Sequence, residues 1–118
     1  MEEFFHDINY PEGLEILDLV PPIWTGVAPN ITMYCLYGHS VPTPELFIYG
    51  IGQFPDTYPV TNYGDGDGTV NLRSLQGCKR FKYIQEKDVF VQGFKGAEHM
   101  AILDNSEVIG LVKKLLTS

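Results

Sequence analysis

The chain has 118 residues, 15 of them acidic and 8 basic, which gives a formal net charge of −7. This length predicts one domain or part of one. Without a basic cluster to bind phosphates, nucleic acid is excluded as an expected partner. No stretch approaches the ~20 apolar residues of a membrane span. Residues 1–5 lack the basic start and long apolar run of a signal peptide, so we expect no targeting signal in this chain.

The first half of the chain predicts one helix, one buried strand and one strand pair. Residues 2–8 are expected to be the end of a helix. Residues 31–37 are apolar on both alternating faces, which is typical of a parallel strand buried on both sides. Residues 41–44, with two prolines, predict a rigid loop. Residues 45–49 and 58–62 predict the two strands of a hairpin with a long tip.

The second half alternates helix, strand and helix. Residues 71–81 have helical composition, and residues 88–94 predict a strand. Residues 105–116 carry apolar side chains at helical spacing, and Asp104 with Glu107 suits a capping box at the start of that helix. This alternation favours an α/β fold, in which catalytic groups lie on loops at the carboxyl ends of the strands.

The stretch GDGDGTV at residues 64–70 contains three glycines and two carboxylates within five residues. The simplest interpretation is a surface turn, since Asp and Gly are common turn residues. A calcium site is a second one, although an EF-hand loop counted from Asp65 would need Gly and Glu where Val70 and Gln76 stand. The third is the acid of a catalytic triad, a rigidly held carboxylate that orients a histidine.

His99 is the candidate partner of that acid. It follows the strand predicted at residues 88–94 and a glycine turn, 32 residues after Asp67. A single histidine is more often an ordinary loop or core residue. If both loops lie at the carboxyl edge of one sheet, Asp67 and His99 are two members of a Ser-His-Asp triad whose serine is not in this chain.

Ser40 stands in a sequence context like that of a nucleophilic serine, but the segment after it differs. It follows a strand within Gly38-His39-Ser40, like the start of a G-x-S-x-G elbow. That elbow continues directly into a helix, which Pro42 and Pro44 prevent. We therefore do not expect Ser40 to be a nucleophile.

Two further features concern the compartment. Cys35 and Cys78 are either two buried thiols or, in an oxidising compartment, a disulfide. Asn30 begins the chain's only Asn-x-Ser/Thr triplet and is a candidate glycosylation site. A single such triplet gives slight support to a secretory route.

Three motifs together resemble one family. They are CLYG-x-x-VPTP at residues 35–44, GDGDGTVNL at 64–72 and G-x-EH at 96–99. In this order and spacing they are similar to the lecithin–cholesterol acyltransferase family, and most similar to its lysosomal phospholipase A(2) branch. The similarity extends over nearly the whole chain.

The resemblance implies an α/β-hydrolase fold. Residues 1–118 would be the incomplete C-terminal part of a single such domain, with its last parallel strands, a hairpin insertion and flanking helices. It also implies that Asp67 is the triad acid and His99 the base, and that Cys35 and Cys78 form a disulfide. His39 and Ser40 stand where the family usually has small residues in that loop.

The implied activity is serine-dependent acyl transfer from a phospholipid ester to water or to an acyl-acceptor lipid. The parent enzyme would act peripherally at a membrane or lipoprotein surface, in the lysosome or outside the cell, without cofactor or metal. The chain alone is expected to be inactive. Two alternatives remain: a non-enzymatic remnant that binds lipid or a partner, and an unrelated calcium-binding α/β module that uses Asp65 and Asp67.

Overall fold

The computed structural model describes residues 1–21 and 27–117. Its helices and strands alternate as expected for a mixed α/β chain. In chain order they are α1 (Glu2–Asp7), α2 (Glu12–Leu19), β1 (Met33–His39), β2 (Val41–Ile48), β3 (Val60–Gly66), α3 (Leu72–Leu75), a 3₁₀ helix (Gly77–Tyr83), β4 (Val89–Lys95), a second 3₁₀ helix (Ala101–Asp104) and α4 (Ser106–Thr117). Within the described residues, no helix combines the length and the apolar character that crossing a membrane requires.

The chain divides into two compact units. The smaller contains residues 1–27 and 47–60, and the larger contains residues 28–46 and 61–118. In the smaller unit, the ring of Phe54 lies 4.9 Å from that of Tyr49, edge to face. Such aromatic pairs contribute to the packing of a small unit.

The larger unit is built on a parallel strand pair. β1 pairs with β4 in a register that runs from Met33 opposite Val89 to His39 opposite Lys95. This confirms the two strands predicted around residues 31–37 and 88–94 and their parallel direction. Since the strands are parallel, the segments that follow both of them leave from the same edge of the sheet.

Helix α4 covers one face of this strand pair. Phe94, Ala97 and Val108 form the buried core, and the partly buried side chains packed against it are Leu36, Ile102 and Leu111. Val108 and Leu111 are three residues apart on one side of α4, so the helix packs through its apolar stripe, as its sequence predicts.

The segment of residues 72–83 lies against the other face. A disulfide joins Cys35 of β1 to Cys78 of the first 3₁₀ helix, 43 residues later. Nearby, Gln76 Nε2 donates to the hydroxyl of Tyr37 over 2.9 Å. Residues 71–81, whose composition is helical, contain the short α3 and most of this 3₁₀ helix that follows it.

The expectation that β1 is buried on both faces is wrong for this chain. Tyr34 is 46% exposed and Phe90 47% exposed. Their rings stack on one another with centroids 4.8 Å apart. In the parallel register they share a face with Leu36 and Phe94. The core under α4 contains the latter two, so the helix covers one end of that face and leaves the other end open.

Two local predictions also need correction. Residues 41–44 are the beginning of β2 and not a loop. β2 pairs with β3 in a two-stranded sheet. Each strand of such a sheet is an edge strand, where prolines are tolerated. The cap of α4 is Asn105 and not Asp104, since Asn105 Oδ1 accepts from the amides of Glu107 and Val108 at 3.0 and 3.2 Å.

Candidate active site

The loop after β3 holds Asp67 at the edge of the strands. Asp67 forms a parallel bridge with Val41, and Gly66 forms an antiparallel bridge with Asn71. Gly68 has a φ of 91°, a backbone conformation that side chains disfavour. The glycines of the motif therefore serve a tight turn that returns the chain beside its own strand.

Asp67 is a buried carboxylate with a full set of partners. Only 4% of the residue is exposed. Its Oδ1 accepts hydrogen bonds from the amides of Thr69 and Val70, at 3.0 and 2.8 Å. Burial by itself raises the pKa of a carboxyl. The hydrogen bonds from Val70, His99 and Thr69 outweigh that effect and hold the pKa of Asp67 below its ordinary value of 3.8.

His99 is brought to this carboxylate by the turn after β4. Gly96 has a φ of 74° and its amide donates to the carbonyl of His39 over 2.7 Å. This bond ties the turn to the end of β1. Ala97 then enters the core, only 4% exposed, which leaves the following residues on the rim of the sheet.

Two hydrogen bonds join His99 to Asp67. The amide of His99 donates to the carbonyl oxygen of Asp67 over 2.9 Å. Nδ1 of the imidazole lies 2.9 Å from Oδ2 of the carboxylate. Because an ionised carboxylate only accepts, Nδ1 carries the hydrogen and Nε2 is the basic nitrogen. The imidazole side chain is 43% exposed and that of Asp67 only 5%. The base is therefore accessible while its partner is not.

A cleft of about 210 Å³ adjoins the pair. It is lined by Asp67, Gly68, Thr69, Glu98, His99 and Met100. The arrangement combines a buried carboxylate, an imidazole oriented by it and open space beside the imidazole, a geometry in which a histidine can exchange a proton with a bound molecule.

Ser40 and Asp65 are joined by a hydrogen bond of their own. The amide of Ser40 donates to Asp65 Oδ1 over 2.6 Å, and the Ser40 hydroxyl lies 2.9 Å from His39 Nδ1. Asp65 thus holds the turn after β1.

Within residues 1–21 and 27–117, no group of three or more His, Cys, Asp or Glu side chains is arranged to hold a metal ion.

One site residue was missed by sequence analysis. Thr43 is fully buried, with 0% of its surface exposed, and its hydroxyl accepts a hydrogen bond from the amide of Gly68 over 2.9 Å. Its position between two prolines favoured a loop and gave no signal of a contact with the Asp67 turn.

Comparison with known proteins gives one consistent family. The family model described as Lecithin:cholesterol acyltransferase matches residues 21–106. Lysosomal phospholipase A and acyltransferase of Bos taurus is 39% identical over 115 residues, covering 97% of this chain and 28% of the relative. The Homo sapiens protein of the same name is 38% identical, covering 97% of this chain and 27% of the relative.

A second group of relatives agrees. Phosphatidylcholine-sterol acyltransferase of Gallus gallus is 40% identical over 101 residues, covering 84% of this chain and 24% of the relative. The chain thus spans about a quarter of the length of these relatives. The family match covers most of the chain, and the chain therefore belongs to the lecithin:cholesterol acyltransferase family.

Proposed function

We propose that this chain is the C-terminal part of a serine-dependent lipid O-acyltransferase or phospholipase A and supplies the acid and base of its catalytic triad. The observation that carries the proposal is the contact between His99 Nδ1 and Asp67 Oδ2, at 2.9 Å, in a chain of this family. The relatives' names, which specify phospholipase A, acyltransferase and phosphatidylcholine-sterol acyltransferase, support the reaction class.

In this proposal His99 Nε2 is the general base. It takes the proton of the serine hydroxyl as that oxygen attacks the acyl carbonyl carbon, and returns it to the departing lysolipid oxygen as the ester C–O bond breaks. Water or a lipid alcohol then gives its proton to Nε2 and attacks the acyl carbon. As the bond between that carbon and the serine oxygen breaks, Nε2 returns the proton to the serine. Asp67 holds the Nδ1–H tautomer throughout and stabilises the positive charge on the ring.

We further propose that residues 1–118 are part of one α/β-hydrolase domain and do not turn over substrate alone. One support is that the chain covers only 28% of the length of the Bos taurus relative. A second is the exposed Tyr34–Phe90 stack, which a complete sheet would bury. The nucleophile and the oxyanion donors would lie in the remaining part of the domain. Without these two groups the largest catalytic contributions are missing. The parent enzyme would dock peripherally on a membrane or lipoprotein surface.

A chimera tests the catalytic assignment. The matched 115 residues of the Bos taurus relative are replaced by this chain, and fatty-acid release from phosphatidylcholine vesicles is measured. We expect activity in the chimera, a loss of roughly 10⁴-fold in kcat for Asp67→Asn and a loss of roughly 10⁶-fold for His99→Ala. Asp104→Asn, at an exposed position, is the matched control and should retain activity.

The same assay on the chain alone separates the alternatives. No fatty-acid release is expected from it. Release that Ser40→Ala abolishes would overturn the assignment of the nucleophile to another segment. A folded but inactive chimera, together with vesicle binding by the chain alone, would favour the non-enzymatic lipid-binding alternative.

We also propose a lysosomal or extracellular location for the parent enzyme, with a glycan on Asn30. The disulfide between Cys35 and Cys78 needs an oxidising compartment. Asn30 and Thr32 are both exposed, immediately before β1. Expressed behind a secretory leader in animal cells, the chain should lose mass on treatment with peptide N-glycosidase. Asn30→Gln should remove that difference, and an unchanged mass in the unaltered chain would contradict the glycosylation proposal.

A further inference from the structure

The side chain of Thr43 is buried beside the catalytic loop with both of its hydrogen-bonding capacities in use. Its hydroxyl donates to the carbonyl oxygen of Val41 and accepts from the amide of Gly68, each over 2.9 Å. A hydroxyl has one hydrogen, so the bond to Val41 directs its lone pairs away from that carbonyl. One of the two lone pairs receives the Gly68 amide.

Thr43 also touches the loop on the other side of Asp67. A Cβ placed on Gly66 would lie 2.5 Å from Thr43 Oγ1 and 2.9 Å from its Cβ. The threonine side chain therefore packs directly on the Gly66 backbone. It contacts the residues immediately before and after the buried carboxylate.

The amide of Gly68 and the carbonyl of Asp67 belong to the same peptide group. That group is planar, and its N–H and C=O point in opposite directions. Thr43 binds the N–H end and the amide of His99 binds the C=O end, over 2.9 Å. The plane that connects Asp67 to Gly68 is thus held from both sides. Its orientation determines how the carbonyl of Asp67 is presented to His99.

We propose that Thr43 is a positioning residue, which orients the Asp67–Gly68 peptide so that Asp67 meets His99 with both its carbonyl and its carboxylate. The proposal deepens the triad assignment and rests on it for its functional meaning. Thr43 acts through the loop backbone, so its hydroxyl matters more than its methyl group.

The test uses three variants of the whole chain. Thr43→Val keeps the shape and removes the hydroxyl, whereas Thr43→Ser keeps the hydroxyl. Thr57→Val is the matched control, because Thr57 makes a similar hydroxyl bond, 3.0 Å to the carbonyl of Gln53, in the other unit. The readouts are hydrogen exchange of the His99 amide and the NMR titration of the Asp67 carboxyl carbon.

In Thr43→Val we expect the His99 amide to exchange at least about tenfold faster, the factor that loss of one buried hydrogen bond implies. The Asp67 titration should move to higher pH. Thr43→Ser and Thr57→Val should match the unaltered chain in both readouts.

Three results would overturn the proposal. They are a folded Thr43→Val with unchanged readouts, a Thr43→Ser that shifts as far as Thr43→Val, and a Thr43→Val that loses its near-ultraviolet circular dichroism. The last would make Thr43 a core residue only. These readouts involve no turnover, so failure of the chimera and failure of the Thr43 proposal are distinguished.

Discussion

Gly38 lies directly against the carbonyl group of Ala97. A Cβ added to Gly38 would overlap that oxygen, and the Ala97 Cβ would be only 3.3 Å away. The contact packs the end of β1 onto the turn that leads to His99. A side chain at position 38 would push this turn away from the sheet.

Gly38→Ala should therefore destabilise the chain by about 3 kcal/mol, since rigid backbone cannot move aside for the new methyl group. Gly110→Ala is the matched control, because a Cβ there meets nothing within 4 Å and the residue lies inside α4. It should stabilise the chain by about 1 kcal/mol. Urea unfolding followed by circular dichroism measures both, and equal midpoints would disprove the packing argument.

Asp67→Asn should lower stability at neutral pH by about 1.5–3 kcal/mol, the range for hydrogen bonds to a charged group. The pKa of Asp67 is lowered in the folded chain, because hydrogen bonds from Val70, His99 and Thr69 outweigh the effect of burial. A lowered pKa contributes stability above the unfolded value of 3.8, and that contribution is lost as the pH falls through the folded value.

Unfolding free energies of the two proteins should therefore converge as the pH is lowered below 3.8. Asp104→Asn, at an exposed carboxyl, should show no such pH-dependent difference. A gap between Asp67→Asn and the unaltered chain that stays constant in acid would refute a charge-based contribution.

Ser40→Gly should be more stable than Ser40→Ala. Ser40 has a φ of 63°, a left-handed conformation that costs a non-glycine residue about 1 kcal/mol or more. Both substitutions remove the hydroxyl that contacts His39, so the difference between them isolates the backbone conformation. We expect about 1 kcal/mol in thermal or urea unfolding. Equal stabilities would mean that the turn relaxes at no cost.

Replacing both Cys35 and Cys78 by alanine should cost about 4 kcal/mol in the chain-entropy model, given their separation of 43 residues. Because the disulfide fixes the segment of residues 72–83 against β1, the double variant should also lose protection of Tyr37 and Gln76 from solvent. Urea unfolding of the oxidised chain, the reduced chain and the variant measures the loss of stability. Hydrogen exchange of the Tyr37 and Gln76 amides measures the loss of protection. A reduced chain as stable as the oxidised one would contradict the prediction.

The sequence predicts the elements that depend on local pattern. The apolar stripe of residues 105–116 places α4 correctly because helical spacing is a property of neighbouring residues. The rule about the carboxyl ends of parallel strands accounts for His99, whose turn leaves the parallel β1–β4 pair. It does not account for Asp67, which follows β3, a strand that pairs with β2 in a separate sheet.

Other features depend on partners distant along the chain. Burial of Tyr34 and Phe90 depends on what covers them, which no pattern within β1 or β4 encodes. The role of Thr43 arises from a bond to Gly68, 25 residues later. Asp104 and Asn105 are adjacent and both suit the N-cap position of α4. Only the direction of the backbone after Asp104 determines that Asn105 is the cap.

Asp67 and His99 both lie between β3 and α4, separated by only 32 residues. Thr43 and the end of β1, which hold the two loops in place, come earlier in the chain. A coding sequence divided ahead of β1 would therefore keep the pair and the residues that orient it on one polypeptide. In the proposed enzyme, a segment that bears the serine would join it at a single junction, so the proton-handling pair would be inherited as one piece.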